Sequence, residues 1–236
     1  DALPPINLGT GKTAVAIATG AEHACAILNN ATVKCWGANA SGQLGLGNTV
    51  RRGDNAGEMG DALPTVNLGT GKTATALRAG LYHTCARLND GTLKCWGNNS
   101  QGQLGLGDAL GRGDEPNEMG DALPAIDLGA GKTVASMALG SYHTCAILND
   151  GATKCWGNNF YGQLGLGDTT ARGDDPGEMG TNLPAVNVGA GKTSVGISVA
   201  GNHTCAILND RSVKCWGNGA DGRLGSGDTL ARGDAA

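Results

Sequence analysis

The sequence predicts an all-β protein, a β-propeller built from four 60-residue blades, each an antiparallel sheet of four strands. A pattern that opens with histidine, contains two cysteines and closes with tryptophan recurs four times at a constant spacing of 60 residues. Each copy has two short apolar runs separated by a turn sequence, which is typical of a β-hairpin. No segment shows a useful 3.6-residue apolar period, so a helical repeat is disfavoured.

The constant spacing indicates one supersecondary unit that has been copied and stacked. The 236 residues form a single repeat array with units 1–60, 61–120, 121–180 and 181–236. We assign structural roles to the repeated histidines and tryptophans, and expect each histidine to bond between strands of its own blade. These residues are His23, His83, His143, His203, Trp36, Trp96, Trp156 and Trp216.

Within the second unit, four strands are expected. A short alternating strand at 65–68 follows an opening turn, and a strand of small residues follows at 73–80. Two more strands flank the hairpin loop 89–91. The small-residue strand is expected innermost, where blades crowd at the axis. Residues 97–120 read as a long loop whose leucines tuck its first half against the sheet.

The hairpin pattern also predicts disulfides. In the third unit, a loop at 149–151 places Leu148 opposite Ala152 and Cys145 opposite Cys155, at Cβ distances of roughly 4.5–5.5 Å that approach disulfide geometry. Such regular pairs indicate an oxidising compartment, with reduced or metal-bound cysteines as the alternatives. The pairs are Cys25–Cys35, Cys85–Cys95, Cys145–Cys155 and Cys205–Cys215.

The third residue of the hairpin loop differs among the units. Gly151 suits the left-handed conformation that such loops use. Ala31 and Arg211 occupy this position in the outer units, so those turns are expected to be strained or of another type.

Composition excludes several functions. The net charge of −4 offers no basic surface for nucleic acid or an anionic membrane, and no apolar run approaches the roughly 18–20 residues that span a bilayer. Only eight aromatic residues are present, which disfavours carbohydrate binding.

A chain that starts with Asp1 is expected to be a processed or excised segment.

No cofactor site is predicted, and the chain is expected not to be an enzyme, because it repeats the same residues rather than bringing different ones together. Residues 9–13 resemble a phosphate-binding loop but lack its first glycine and its helix, so a structural turn is favoured.

Oxygen ligands suited to calcium occur in the long loops, as weak candidates for a metal site. They are Asp114, Glu118, Asp121, Asp174 and Glu178.

Each long loop also carries Arg-Gly-Asp. Its presence in every unit favours an Arg–Asp pair that orders the loop, with a binding role for these loops as the functional hypothesis. The residues concerned are Arg52, Asp54, Arg112, Asp114, Arg172, Asp174, Arg232 and Asp234.

One longer pattern points to a family. Residues 83–108 and 143–168 share His-Thr-Cys-Ala-x-Leu-Asn-Asp-Gly, followed by Cys-Trp-Gly-Asn-Asn-x-x-Gly-Gln-Leu-Gly-Leu-Gly-Asp. This resembles the regulator of chromosome condensation repeat, and weaker forms occur in the outer units. The resemblance implies β-propeller blades, commonly seven to a ring. The paired cysteines resemble the variant found in secreted bacterial members.

These observations lead to a functional hypothesis. We expect an extracellular or cell-surface structural or protein-binding propeller that binds a protein partner or itself. The four units could close into a ring, or belong to a larger or open array, because the strand near 5–8 could complete the last blade of its own chain or of the next molecule. Head-to-tail assembly would then give a ring or a filament. The alternatives are binding or inhibition of a secreted enzyme and, disfavoured by the acidic balance, guanine-nucleotide exchange on a small GTPase.

Overall fold

The computed structural model describes residues 3–235, which form four antiparallel sheets, one in each unit. Asp1, Ala2 and Ala236, at the ends of the predicted first and last units, lie outside the described residues. The strands are β1 (Ala14–Thr19), β2 (His23–Leu28), β3 (Val33–Gly37), β4 (Ala74–Ala79), β5 (His83–Leu88), β6 (Leu93–Gly97), β7 (Val134–Leu139), β8 (His143–Leu148), β9 (Thr153–Gly157), β10 (Ser194–Ala200), β11 (His203–Leu208) and β12 (Val213–Gly217). Short 3-10 turns occur at Gly60–Ala62, Gly120–Ala122 and Ala220–Gly222.

The hairpin register is the predicted one. Cys145 lies opposite Cys155, and the Leu148 amide donates to the Ala152 carbonyl at 2.8 Å. The loop residue Gly151 is left-handed, with φ of 80°. Ala31 and Arg211 adopt the same conformation, with φ of 61° and 71°, so the outer turns are of the same type and carry the steric cost of a β-carbon there.

The small-residue strand is innermost, as predicted. It forms one edge of each sheet, and β1 contacts β4, β4 contacts β7 and β7 contacts β10. Residues at the ends of these strands, or just beyond, come from all four units and surround one shallow pocket at the axis.

Each sheet has three strands, not the four predicted. Residues 65–68 form no strand and make one ladder-like bond with the preceding sheet, from the Val66 amide to the Val33 carbonyl at 2.8 Å. The segment then leaves the sheet, because the Asn67 carbonyl accepts from Gly120 at 3.0 Å. At the other end of β3, Gly37 forms an isolated bridge with Arg52. Two separate segments therefore flank the outer edge of β3.

The core lies between successive sheets rather than inside one. A single cluster joins Val33 and Leu44 of the first unit to Leu77 and Trp96 of the second, and similar clusters join the later units. Leu104 is fully buried, which confirms that the first half of the long loop packs on the sheet.

The four sheets form an open arc. Contacts between sheets follow chain order, and the first and fourth sheets make no contact of comparable extent among the described residues. Apolar side chains are correspondingly exposed at both ends, with Val15 and Ile17 in the first sheet and Ile207 and Val213 in the fourth. Among the described residues, the structure contains no helix whose length and hydropathy would let it span a membrane.

Candidate binding surfaces

All eight cysteines are paired within their own hairpins. The bridges are Cys25–Cys35, Cys85–Cys95, Cys145–Cys155 and Cys205–Cys215. The six cysteines of the first three units are fully buried. The bridges therefore hold the second and third strands of each sheet together and leave no thiol for metal binding or nucleophilic chemistry.

A hydrogen-bonded chain crosses each boundary between units. His83 Nε2 lies 3.0 Å from Thr144 Oγ1, and this hydroxyl donates to the Gln103 carbonyl at 2.9 Å. Because the hydroxyl proton is used in that bond, Thr144 accepts from the histidine, which assigns the proton to Nε2. The Trp156 indole donates to the same carbonyl at 3.1 Å. Equivalent chains run through His23, Thr84, Gln43 and Trp96, and through His143, Thr204, Gln163 and Trp216.

These bonds correct the expectation that each histidine bonds within its own blade. The ring reaches the next unit because Gly80 lies against it, where a β-carbon would overlap the ring of His83. Burial lowers the pKa of His83 and His143 to about 3, and that of His23 to about 4. The buried histidines are therefore neutral and join units, in place of a role in proton transfer.

Buried lysines hold together distant segments of their own units, a role that the sequence did not reveal. The Lys94 ammonium donates to the Leu68 carbonyl at 3.0 Å and to the Gly120 carbonyl at 2.7 Å. Burial lowers its pKa. Lys34 and Lys154 bind equivalent carbonyls. The one signal for this role is the recurrence of lysine immediately before the second cysteine of every hairpin.

The long loops are ordered by an ion pair other than the predicted one. Arg112 Nη2 contacts Asp108 Oδ2 at 2.6 Å, rather than Asp114 of its own Arg-Gly-Asp. The pairs Arg172–Asp168 and Arg232–Asp228 repeat this contact. The reason is local geometry, since the arginine backbone bridges to the third strand while its side chain turns back along the loop. In the first unit Asn48 replaces the aspartate, and Arg51 instead lies 3.7 Å from Asp54.

Three of the five carboxylates considered for calcium accept hydrogen bonds from backbone amides, and Asp114 and Asp174 each have a buried oxygen without a partner in the described residues. Glu118 Oε2 accepts from the amides of Gly113 and Glu115 at 2.9 and 3.0 Å, and Glu178 repeats this arrangement. Asp121 accepts from the amide and hydroxyl of Thr70 at 2.8 and 2.6 Å. Burial raises the pKa of Asp114 and of Asp174. Within residues 3–235, no group of three or more potential ligands is arranged to hold a metal ion.

The loop at 9–13 is a turn, as expected. The Lys12 amide donates to the Gly9 carbonyl at 3.1 Å, and β1 rather than a helix follows at Ala14. Thr10 bonds to the Asp61 carboxylate of the next unit through its amide at 3.0 Å and its hydroxyl at 2.7 Å. The turn thus connects units.

The two ends of the arc present unoccupied halves of the contact between units. We call residues 3–8 with β1 and Trp36 the head face, and β12 with its outer edge the tail face. Leu3 is 95% exposed, whereas its counterparts in the three later units are each 1% exposed. Val213 is 62% exposed, whereas its counterparts in the three earlier units are at most 2% exposed.

Comparison with known proteins identifies the repeat. Residues 14–43, 74–103, 134–163 and 195–223, just over half of the chain, match the regulator of chromosome condensation (RCC1) repeat, and the longer stretches 90–147 and 150–207 match it as well. The chain belongs to the RCC1 repeat family.

Similar proteins include the RCC1 domain-containing protein RUG3, mitochondrial, of Arabidopsis thaliana, which is 32% identical over 89% of this chain and 43% of its own length. The ultraviolet-B receptor UVR8 of the same plant is 29% identical over 92% of this chain and 44% of its own length. Prp20p of Saccharomyces cerevisiae has a similar structure, with a TM-score of 0.72 and 19% identity over 98% of this chain and 51% of that chain. The RCC1-repeat chain thus spans about half the length of these proteins, and the structural likeness shows a shared propeller fold.

Proposed function

We propose that this RCC1-repeat chain is a non-enzymatic, protein-binding propeller of an oxidising, extracellular or cell-surface compartment, and that its open ends associate head to tail. Protein binding is supported by a solved relative, since yeast RCC1 (Prp20) has been crystallised with Kap60 bound. A binding role also fits a scaffold whose buried histidines, lysines and cysteines all serve to join strands and units.

The compartment is inferred from the cysteines. Four disulfides at the same position of every unit are typical of proteins that fold where thiols are oxidised. Each bridge closes a loop of about 11 residues, for which the chain-entropy relation gives roughly 3 kcal/mol of stability. Such an array would lose this stabilisation in a reducing cytosol.

The observation that carries the assembly proposal is the contrast between the open ends and the three internal contacts. Internally, the segment 61–68 lies on the edge of β3, where Leu63 is buried and Val66 donates its amide to Val33. Residues 1–8 repeat this sequence as Asp-Ala-Leu-Pro-Pro-Ile-Asn-Leu. In a second copy, Ile6 would meet Val213 as Val66 meets Val33.

Other groups on the two faces are complementary as well. Trp36 is half-buried, and its indole N–H has no partner in the described part of the chain, whereas the other three indoles donate to the preceding unit. The Arg223 carbonyl occupies the acceptor position of Gln43. Lys214 is exposed, although its counterparts are buried on carbonyl oxygens.

The match is incomplete at one position. His203 occupies the place of a histidine that bonds to threonine in the following unit, but the head face has Ala24 there. We therefore expect a contact weaker than the internal ones. Full burial of an aliphatic side chain stabilises by about 1.5–3 kcal/mol, so Leu3, Ile6 and Val213 together would support a concentration-dependent association. Because the contact is heterologous, it closes into a ring or continues as a filament.

Light scattering of the disulfide-bonded chain tests this proposal. We expect a mass of at least twice 23.5 kDa that rises with concentration, and its reversal by Val213→Asp on the exposed tail face. Leu110→Asp, at a side chain 67% exposed on a loop, is the matched control and should leave the mass unchanged. A mass of 23.5 kDa at every concentration, or equal effects of both substitutions, would remove the head-to-tail proposal.

Binding of a secreted enzyme and guanine-nucleotide exchange, the alternatives drawn from the sequence, stay predictions without support from a specific contact in the described residues.

A further inference from the structure

The three tyrosines and the single phenylalanine of this chain lie near one another on the surface of the second and third units. The rings of Tyr82 and Tyr142, in neighbouring units, have centroids 6.4 Å apart, and Phe160 meets Tyr161 edge-on at 4.9 Å. A groove of about 470 Å³ opens beside them across the second, third and fourth units. Together with two serines, the residues that line this aromatic groove are Gln101, Tyr142, Asn158, Phe160, Tyr161 and Asn202.

The aromatic pair is not required by the fold. The positions of Phe160 and Tyr161 hold small or polar residues in the other three units, which form the same three-stranded sheet. Phe160 is 71% exposed, so its ring contributes little to the core. The Phe160 ring is therefore free to contact a ligand without cost to the sheet.

The polar groups of the groove are held in place and uncharged. Asn158 donates to Gln101 across the boundary between units at 2.6 Å, and Gln163 donates to the Asn158 oxygen at 2.6 Å. The hydroxyls of Tyr142 and Tyr161 have no hydrogen-bond partner within residues 3–235. The groove therefore offers aromatic faces, fixed amides and free hydroxyls, with no charged side chain in its lining.

We propose that the aromatic groove binds a neutral carbohydrate. A pyranose ring has an apolar C–H face that fits against an aromatic ring, and hydroxyls around its edge that bond to amide and phenol groups. The uncharged lining argues against sulfated, phosphorylated or uronic acid ligands. The volume of the groove lies within the roughly 300–1,000 Å³ that is typical of small-ligand sites. A stable protein interface needs a larger and flatter surface, about 800 Å² on each partner.

This site reverses the expectation drawn from composition. Eight aromatic residues are few for a carbohydrate-binding protein if they are scattered. Here the four that are not tryptophans come together on one surface, so their position matters more than their number. The carbohydrate site is independent of head-to-tail assembly, because its lining residues lie outside the head and tail faces.

A glycan array of neutral and acidic oligosaccharides, followed by calorimetric titration of the bound glycan, tests the assignment. We expect binding of a neutral oligosaccharide and a loss of about tenfold in affinity in Phe160→Ala, which corresponds to the upper range of one aromatic contact. Phe160→Tyr should retain binding. Leu110→Ala, at another exposed apolar side chain, is the matched control and should bind like the unsubstituted chain.

Phe160→Ala should keep the melting temperature and the light-scattering mass, because its side chain lies outside the core and outside both end faces. Three results would overturn the proposal: no neutral glycan bound at millimolar concentration, stronger binding of acidic glycans, or glycan binding that Phe160→Ala leaves unchanged. A protein ligand recognised through Phe160 in the absence of glycan binding would also overturn it.

Discussion

The second and fourth units share the histidine, lysine, cysteine and tryptophan pattern of the repeat but differ in what surrounds it. Lys94 is buried on the carbonyls of Leu68 and Gly120 in its own unit, while Lys214 is exposed. His83 is fully buried and bonded to the third unit, while His203 is half-buried. The side chains of one unit thus become a core only when the next unit covers them, as expected when stability is shared between nearest neighbours.

The largest expected effect compares two tryptophans. Trp156 is fully buried and donates to the preceding unit, so Trp156→Ala should lower the free energy of unfolding by about 3–5 kcal/mol. Trp36, at the head face, is half-buried, and Trp36→Ala should cost less than about half as much. Chemical denaturation of the two variants, at a concentration where light scattering gives the monomer mass, measures the difference. Equal losses would show that the head face is covered in solution.

The second comparison uses pH. Burial holds the folded-state pKa of His83 near 3, below its usual value of 6.5, so between these values the unfolded chain binds a proton that the folded chain does not. Stability is therefore full above about pH 6.5 and declines toward pH 3, by about 1.4 kcal/mol for each pH unit and histidine. From pH 7 to pH 4.5, the free energy of unfolding should fall by roughly 2–3 kcal/mol less in His83→Gln than in the unsubstituted chain. Chemical denaturation at the two pH values measures this difference.

His203→Gln is the control for this measurement. Burial lowers the pKa of His203 too, but the side chain is only half-buried, so its removal should change the pH dependence less. Parallel pH curves for His83→Gln and the unsubstituted chain would contradict the assignment of a buried neutral histidine.

A smaller difference is expected for the lysines. Lys94→Met leaves two buried carbonyls without their donor and should cost roughly 2–3 kcal/mol, whereas Lys214→Met should be nearly neutral. Thermal unfolding of both variants, at a concentration where the chain is a monomer, gives the comparison. If Lys214→Met proved as costly as Lys94→Met, the tail face would be covered by another unit or molecule.

The smallest effect concerns the hairpin turns. Ala31→Gly relieves a left-handed residue at the head and should stabilise by about 0.5–1 kcal/mol. Gly151→Ala introduces the same conformation in the third unit and places a β-carbon against Thr193, so it should destabilise by at least that amount. Calorimetry should show a higher melting temperature for Ala31→Gly and a lower one for Gly151→Ala. Changes of the same sign would indicate that the two turns differ.

Local features of the chain could be predicted from its pattern. The turn residues and the alternation of the strands specify the register that brings Cys145 opposite Cys155, because both depend on residues within a few positions. The prediction of a fourth strand was wrong, because the segment 65–68 alternates like a strand but leaves the sheet after one hydrogen bond. Its departure depends on Gly120, more than 50 residues away.

The contacts of polar side chains could not be predicted in the same way. His83 bonds to Thr144, 61 residues further on, and no local pattern distinguishes this partner from one in its own sheet. Arg112 pairs with Asp108 rather than with Asp114, which is nearer in sequence, because its backbone is bridged to the third strand. The aromatic groove combines residues of three units, so the sequence contains these residues but does not show that they lie side by side.

The sequence by itself determined the 60-residue period, the disulfide-bonded hairpins and the propeller class, since these follow from turn chemistry, alternation and repetition along the chain. The tertiary structure alone decided that the histidines join units, that the lysines bind distant carbonyls of their own units, that the arc is open, and that the aromatic rings share one groove. The physical reason is that these features depend on how one sheet covers the next. Identical residues are buried inside the arc and exposed at its ends, according to the neighbour they have.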